Sequence, residues 1–242
     1  MTHILFKEFN GFLNSLIAYI VIGVFLTAMG LLLWVFPETS VLEYGYADMG
    51  TFFALAPYVY VFLIPAITMR SFAEEKRAGT MELLLTRPLS DWDIILGKYL
   101  AGLLLIIFSI LPTLIYYFSI SYLGDPAGNI DTSGVIGSYI GLVLLGAAFC
   151  AIGLFSSSLT TNQIVSFILG AFFCFLLYAG FDSISNLNLW SANVLIIRQL
   201  GMNYHYDALG KGLIDSRDLI YFLSLAMLFL LLTKLKIGSR SW

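Results

Sequence analysis

Charge is scarce in this chain: Asp, Glu, Lys and Arg make up 11% of its 242 residues, against about 25% in a soluble domain. The scarcity is also uneven. No charged residue lies in the 29 positions between Glu8 and Glu38, the 21 between Asp48 and Arg70, the 26 between Lys98 and Asp125, or the 50 between Asp131 and Asp182. Gaps of this length exclude an ordinary soluble domain and a disordered chain alike. Cysteine and histidine are just as few, two of each. Cys150 and Cys174 both fall inside apolar runs, which argues for small packing residues and against a disulfide framework. His3 and His205 lie near opposite faces of the membrane in the topology below, so a histidine-rich metal site is excluded. The net charge of −3 and the lack of a basic stripe leave no footprint for nucleic acid. The phosphate-cradling run Gly-x-x-x-x-Gly-Lys-Ser/Thr is missing too: Gly97-Lys98 is followed by Tyr99, and Gly210-Lys211 by Gly212. A chain of this kind binds no ATP in the P-loop manner, and any ATP-driven work would need a partner to hydrolyse it. No nucleophile–base pair is visible, which argues against an intramembrane enzyme.

What is present is apolar surface: 60% of residues are hydrophobic and the mean hydropathy is +0.91. A membrane-spanning helix needs about 20 mostly apolar residues. The expected fold is all-α and polytopic, a single membrane domain over 1–242 with six spans at 15–36, 50–69, 92–122, 135–156, 162–182 and 217–235. The first run is too long for a signal-peptide core of about 7–15 residues and lacks a basic leader, so it reads as a retained span. Six spans put both termini on one side. Lys7, the five basic residues Arg70, Lys76, Arg77, Arg87 and Lys98, and Lys234, Lys236 and Arg240 share that side, whereas 37–49 and 123–134 contain no Lys or Arg. The positive-inside rule therefore predicts that the termini and the second loop are cytoplasmic. For a bacterial chain the host is the inner (cytoplasmic) membrane.

Smaller features leave alternatives open. Residues 1–14 can place Ile4, Leu5, Phe9, Phe12 and Leu13 on one helical face, as an amphipathic interfacial helix or as an extension of the first span. Pro57, Pro65 and Pro112 fall inside the second and third spans, where a kink serves a moving gate or only packing geometry. The spacing Gly137-x-x-x-Gly141 permits close helix approach. The first five spans contain no charge at membrane depth, which disfavours a proton-driven carrier.

The second loop, 70–91, is the informative stretch. Together with the first residues of the next span up to Lys98 it holds ten of the chain's 27 charged residues. Arg70, Glu74 and Arg77 are spaced to support a helix that continues past the membrane. Gly79 breaks it, Thr80 can cap a short helix over Met81–Thr86, and Pro88 ends that helix. Ser90 and Asp93 have capping-box spacing at the start of the third span. Apolar Met81, Leu83, Leu84 and Leu85 rimmed by charge form either an interaction surface or a face resting on lipid headgroups.

The pattern Glu74-Glu-Lys-Arg-x-Gly79-Thr80-x-Glu82-x-Leu84-Leu-Thr86-x-Pro88-Leu, followed by Gly97-Lys98, resembles the cytoplasmic loop of type-2 ABC exporter permeases. The compact length and the segment from Tyr204 to Leu223 are similar to the gliding-motility permeases (GldF), and NosY-like copper-site maturation permeases share much of the pattern. The resemblance implies an ATP-driven exporter subunit with no catalytic residue and no bound metal or cofactor of its own, ATP and Mg residing on a partner ATPase. It makes the short helix around Gly79 to Thr86 a coupling helix seated in a cleft of the ATP-binding subunit, and assigns Glu74, Glu75, Arg77, Gly79, Thr80, Glu82, Leu83, Leu84, Thr86 and Pro88 to that ATPase-coupling contact. It also assigns 183–216 to short re-entrant helices capping the outer side, with Trp190, Tyr204, His205, Asp215 and Asp218 as cap residues. A lipid-contacting amphipathic loop is the plain alternative there. The remaining partners are the lipid bilayer and a second permease, a different chain being favoured over a copy. A second class of function stays open: a non-conducting anchor or assembly platform that recruits an ATPase.

Overall fold

The computed structural model describes residues 1–43, 45–81, 90–186, 194–212 and 215–239, and helix is the only regular structure among them. In chain order the helices are α1 (Thr2–Leu13), α2 (Leu16–Trp34), α3 (Gly50–Thr68), α4 (Arg70–Arg77), α5 (Asp91–Ile110), α6 (Leu114–Leu123), α7 (Thr132–Leu159), α8 (Gln163–Phe175), α9 (Phe181–Asn186), α10 (Val194–Gln199), α11 (Met202–Gly210) and α12 (Ser216–Gly238). Among the described residues, five helices are long and apolar enough to cross a membrane: Gly50–Arg77, Asp91–Leu123, Thr132–Leu159, Gln163–Ser185 and Ser216–Gly238. A sixth span is reached if α1 and Ala18–Trp34, bent by 64°, count as one. The chain is a multi-pass membrane protein.

Four of the long helices start or break for a local reason. Ser90 and Asp93 form the expected capping box: Ser90 Oγ accepts from the Asp93 N–H at 3.1 Å, and the Ser90 N–H returns a bond to Asp93 Oδ2. Asp131 caps α7 by accepting from the Gly134 N–H at 3.1 Å, and Asn162 caps α8 through Ile164. The third span is broken at Pro112 into α5, a 3₁₀ turn (Leu111–Thr113) and α6. The fifth passes through a π-turn at Leu176–Gly180 before α9, a widening the sequence pattern did not signal.

α7 is the central post of the bundle, touching α3, α4, α5, α8, α11 and α12. Its small residues make this possible. A Cβ added at Gly153 would lie 2.0 Å from Thr68 Oγ1 of α3, one at Gly146 would lie 2.9 Å from Ile106 Cγ2 of α5, and one at Gly137 would lie 2.3 Å from the Leu209 carbonyl oxygen of α11. The Gly137/Gly141 pair thus admits a close neighbour, as its spacing predicts. That neighbour is the short helix α11 and not another span. Cys150 and Cys174 are both buried free thiols, in keeping with their reading as packing residues.

α3 carries Pro57 and Pro65 without interruption. Pro57 has no N–H to give the carbonyl four residues earlier, that of Phe53. The Tyr206 hydroxyl of α11 donates to that carbonyl at 2.8 Å, so a neighbouring helix satisfies the group the proline orphans. Proline and tyrosine together pin α11 to α3, which gives Pro57 the packing role of its two readings.

Candidate functional site

At the end of the bundle where α1 lies, three helices meet around one buried cation. Lys98 sits in the second turn of α5, and its side chain is only 2% exposed. Its ammonium donates to Glu75 Oε1 of α4 at 2.8 Å and to Glu8 Oε1 of α1 at 3.0 Å, and lies 5.3 Å from the Phe72 ring centroid. Burying a lone ammonium costs several kcal/mol, so paired carboxylates are the condition of its being there. Gly97 explains how α1 gets close enough: a Cβ there would lie 2.8 Å from Ile4 Cγ2. The terminal ammonium of Met1 reaches Asp93 at 3.2 Å and ties down the start of α1.

α4 is fastened from its other side by α7. Ser157 Oγ accepts from the backbone N–H groups of both Phe72 and Ala73 at 3.0 Å and donates to the Met69 carbonyl at 2.9 Å. Lys76 donates to the Ser158 carbonyl. The first turn of any helix has N–H groups without intrahelical partners; here a serine on the central post supplies the acceptor. Each such buried bond contributes about 0.5–1.5 kcal/mol, so α4 is rigidly placed.

The outer face of α4 is different. Glu74 and Arg77 are exposed, and Glu74 takes both Nε (2.8 Å) and Nη2 (3.1 Å) of Arg70, the predicted i,i+4 pair. Gly79, at φ +68°, ends the helix: the Thr80 N–H bonds the Glu75 carbonyl at 3.0 Å and the Gly79 N–H bonds that of Lys76, a Schellman closure. Ala78, Gly79 and Thr80 are exposed beside Arg77. Met81 turns inward instead and packs with Ile4, Phe72, Ile94 and Ile95, so it is not part of an exposed apolar face. The remaining coupling-helix residues Glu82, Leu83, Leu84, Thr86 and Pro88 lie outside the described residues, as does Trp190 of the expected cap.

Glu74 and Glu75, adjacent in sequence and paired in expectation, thus do different things. Glu74 faces out; Glu75 faces in and holds Lys98. Sequence reasoning missed the Glu8–Lys98–Glu75 cluster. Its signal was a single lysine in the second turn of α5, where the long uncharged run begins.

At the opposite end, α11 packs into the glycine face of α7, with Tyr206 against Gly141 and α3. His205 is held on both ring nitrogens: Nδ1 to Asp218 Oδ1 at 2.6 Å and Nε2 to the Gln199 carbonyl at 2.9 Å. Its ring stacks on Tyr221 at 3.9 Å, and Tyr221 donates to the Leu200 carbonyl. Asp215 caps α12 through the Arg217 N–H. Tyr204 meets the His205 ring edge-on. Four of the five expected cap residues therefore come together at one junction, between α10, α11 and the start of α12. Asp207, on α11, has its carboxyl pushed above the usual carboxylate range by burial, with Arg198 opposing the shift. Among the described residues no group of three His, Cys, Asp or Glu is placed to hold a metal ion.

A protein-family model matches most of this sequence. Residues 39–209 match that of the ABC-2 family transporter protein, and the chain belongs to that family. Its members of this type are membrane permease subunits of ABC transporters, which work with an ATP-binding partner. The chain is 26% identical over 166 residues to the probable multidrug ABC transporter permease YbhR of Escherichia coli K12, and equally to that of strain O157:H7. The match covers 66% of this chain but 42% of those relatives, so the chain spans less than half the length of the curated relatives it matches.

Proposed function

We propose that this chain is the permease subunit of an ATP-driven exporter, with a separate ATP-binding subunit docking on the outer face of α4 and the segment that follows Gly79. One observation carries this reading. α4 is fixed to the bundle on its inner face by Ser157 and Lys98, yet it presents Glu74, Arg77, Gly79 and Thr80 to solvent. A rigid, charged projection at a membrane protein's basic end suits a part that must receive force from a neighbour. On this reading α1, α4 and both termini are cytoplasmic and face the inner side of a bacterial cytoplasmic membrane, in agreement with the distribution of Lys and Arg. α10 and α11 then form the outer cap. Hydroxyls such as Tyr60, Ser109, Thr113 and Ser166 supply the buried polarity inside the spans, which favours an apolar or amphipathic cargo. The similarity to gliding-motility permeases supports a role there beside a distinct second permease. The name of the Escherichia coli relative supports multidrug-type export by the same architecture.

The test is to purify the tagged chain from its native membrane in mild detergent and identify co-eluting proteins by mass spectrometry. An ATP-binding subunit should co-elute with the native chain and be lost from Glu74→Lys/Arg77→Glu, with membrane insertion unchanged. Both positions are exposed, so the swap leaves Lys98 and its partners intact. Absence of any ATP-binding subunit, even after cross-linking, would overturn the proposal. So would undiminished recovery with the charge-swapped variant.

A further inference from the structure

At the end of the bundle away from α1, the short helix α10 has no buried residue, so no core of its own holds it in place. Polar ties do this instead. Arg198 pairs with Asp182 of α9 at 3.0 Å, and the Leu200 carbonyl, in the turn after α10, accepts from the Tyr221 hydroxyl of α12 at 2.7 Å. The Gln199 carbonyl lies 2.9 Å from His205 Nε2 of α11. The other ring nitrogen, Nδ1, lies 2.6 Å from Asp218 Oδ1 in the first turn of α12. The His205 and Asp218 side chains are 13% and 8% exposed, and the imidazole lies on the Tyr221 ring with centroids 3.9 Å apart.

Counting protons on the imidazole gives this junction its chemistry. A neutral imidazole has one N–H and one bare nitrogen, whereas an ionised carboxylate and a backbone carbonyl can only accept. With one N–H between two acceptors, a nitrogen lone pair must face an oxygen lone pair at 2.9 Å or less, in a place nearly closed to water. One more proton removes the conflict. It makes either an imidazolium beside a carboxylate, or a neutral imidazole with Nε2–H beside a carboxylic acid that donates to Nδ1. Both forms hold the same number of protons, so His205 and Asp218 titrate as one unit. Without the extra proton, the remaining N–H stays on Nδ1, where the charged acceptor makes the stronger bond. The contact with the Gln199 carbonyl is then the one lost.

We propose that His205 and Asp218 form a proton-operated latch, closed on the Gln199 carbonyl when the pair holds its extra proton and open when it does not. Closure holds α10 and its turn against α11 and α12; opening leaves that end of α10 on the single bond from Tyr221. The closed latch binds a proton that the open one lacks, so closure dominates at low pH and is lost as pH rises. Among the described residues, Asp218 is the one charged group at ion-pair distance from His205. The other ionisable groups of these helices are engaged elsewhere or stand off: Asp182 holds Arg198, Asp215 holds the Arg217 N–H, Tyr221 holds Leu200, and Tyr204 meets the imidazole edge-on. Asp207 lies two residues along α11, and the cations Lys211 and Arg217 make no ion pair with Asp218 among the described residues. The inference rests on these contacts alone, and neither on the ATPase reading nor on the side of the membrane they face.

The experiment is hydrogen–deuterium exchange with mass spectrometry on the purified full chain in detergent, each rate divided by the intrinsic rate at its pH. Two conditions, about pH 5.5 and about pH 9, bracket the ordinary histidine range. The reporters are the amides of 194–201, among them those of Leu200 and Gly201, which are bonded to the Ile197 and Arg198 carbonyls. In the native chain their protection should fall about tenfold at the higher pH, the factor that one charge-assisted hydrogen bond sets. His205→Phe keeps a ring to stack on Tyr221 but has no ring nitrogen, so protection should be low at both pH values. Asp218→Asn should keep it high at both, because an amide offers N–H to a bare Nδ1 and oxygen to a protonated one. A merely structural ion pair would instead be weakened by that change. Native protection that does not vary with pH overturns the proposal. So does a pH dependence that survives His205→Phe, which would assign it to another group such as Asp207, or a loss of protection in Asp218→Asn.

Discussion

Replacing Lys98 with methionine keeps most of the side-chain volume and removes one positive charge from between two carboxylates. The ammonium is 2% exposed, and the side chains of Glu8 and Glu75 are 19% and 17% exposed. Removing one partner of a buried ion pair costs about 3–5 kcal/mol, because the charge left behind is uncompensated. Both carboxylates keep some contact with water, so the lower figure, about 3 kcal/mol, applies. At about 2–4 °C per kcal/mol for a chain of this size, the melting temperature should fall by about 6–12 °C. Tryptophan fluorescence during heating in detergent measures it, with Trp92 of α5 close to the cluster. A control makes the result specific: Lys98→Met/Glu8→Gln/Glu75→Gln removes all three charges and should recover at least half the loss. A fall of less than about 2 °C, or a triple variant no better than the single one, would refute the clamp reasoning.

Two further outcomes follow from contacts at the other end of the molecule. Gly137→Ala should destabilise by about 1–3 kcal/mol, since its Cβ would meet the Leu209 carbonyl at 2.3 Å and a backbone atom cannot swing aside; Gly23→Ala, with nothing within 4 Å, should not destabilise, and parallel melting curves would show the contrast. Asp207 is exposed on α11, yet its neighbours partly desolvate the carboxyl and raise its folded pKa, so Asp207→Asn should raise the melting temperature at neutral pH only slightly; the gain should vanish below the ordinary Asp range near 3.9, and a gain unchanged with pH would count against desolvation as the cause.

The spans were legible in the sequence because a bilayer imposes a length and a composition on each crossing helix. Helices at 16–34, 50–68, 132–159 and 216–238 fall within a few residues of the uncharged runs that announced them. Caps were legible for the same local reason: Ser90 and Asp93 needed only each other, and Gly79 only its own conformational freedom. What escaped was pairing between segments far apart in the chain. Nothing local distinguishes Glu75, which turns in to Lys98, from Glu74, which turns out to Arg70. Likewise Gly97 was read as half of a chance Gly-Lys pair. Its purpose is the approach of Ile4, and that is visible only once α1 lies across α5. The π-turn at Leu176–Gly180 has no composition of its own, so periodicity could not find it.

α7 has 28 residues, and at 1.5 Å per residue it is about 42 Å long, against a hydrocarbon core of about 30 Å. It holds α4 through Ser157 near one tip and α11 against Gly137 near the other. A straight rod pivoting at its middle moves both tips at once, and a tilt of about 5° displaces each by roughly 2 Å, the size of helix shifts that switch other proteins. A pull on α4 that tilts α7 as one body would therefore also shift the seat of α11, and by reciprocity a ligand that biased the α11 side would change, by the same free energy, how tightly α4 is grasped.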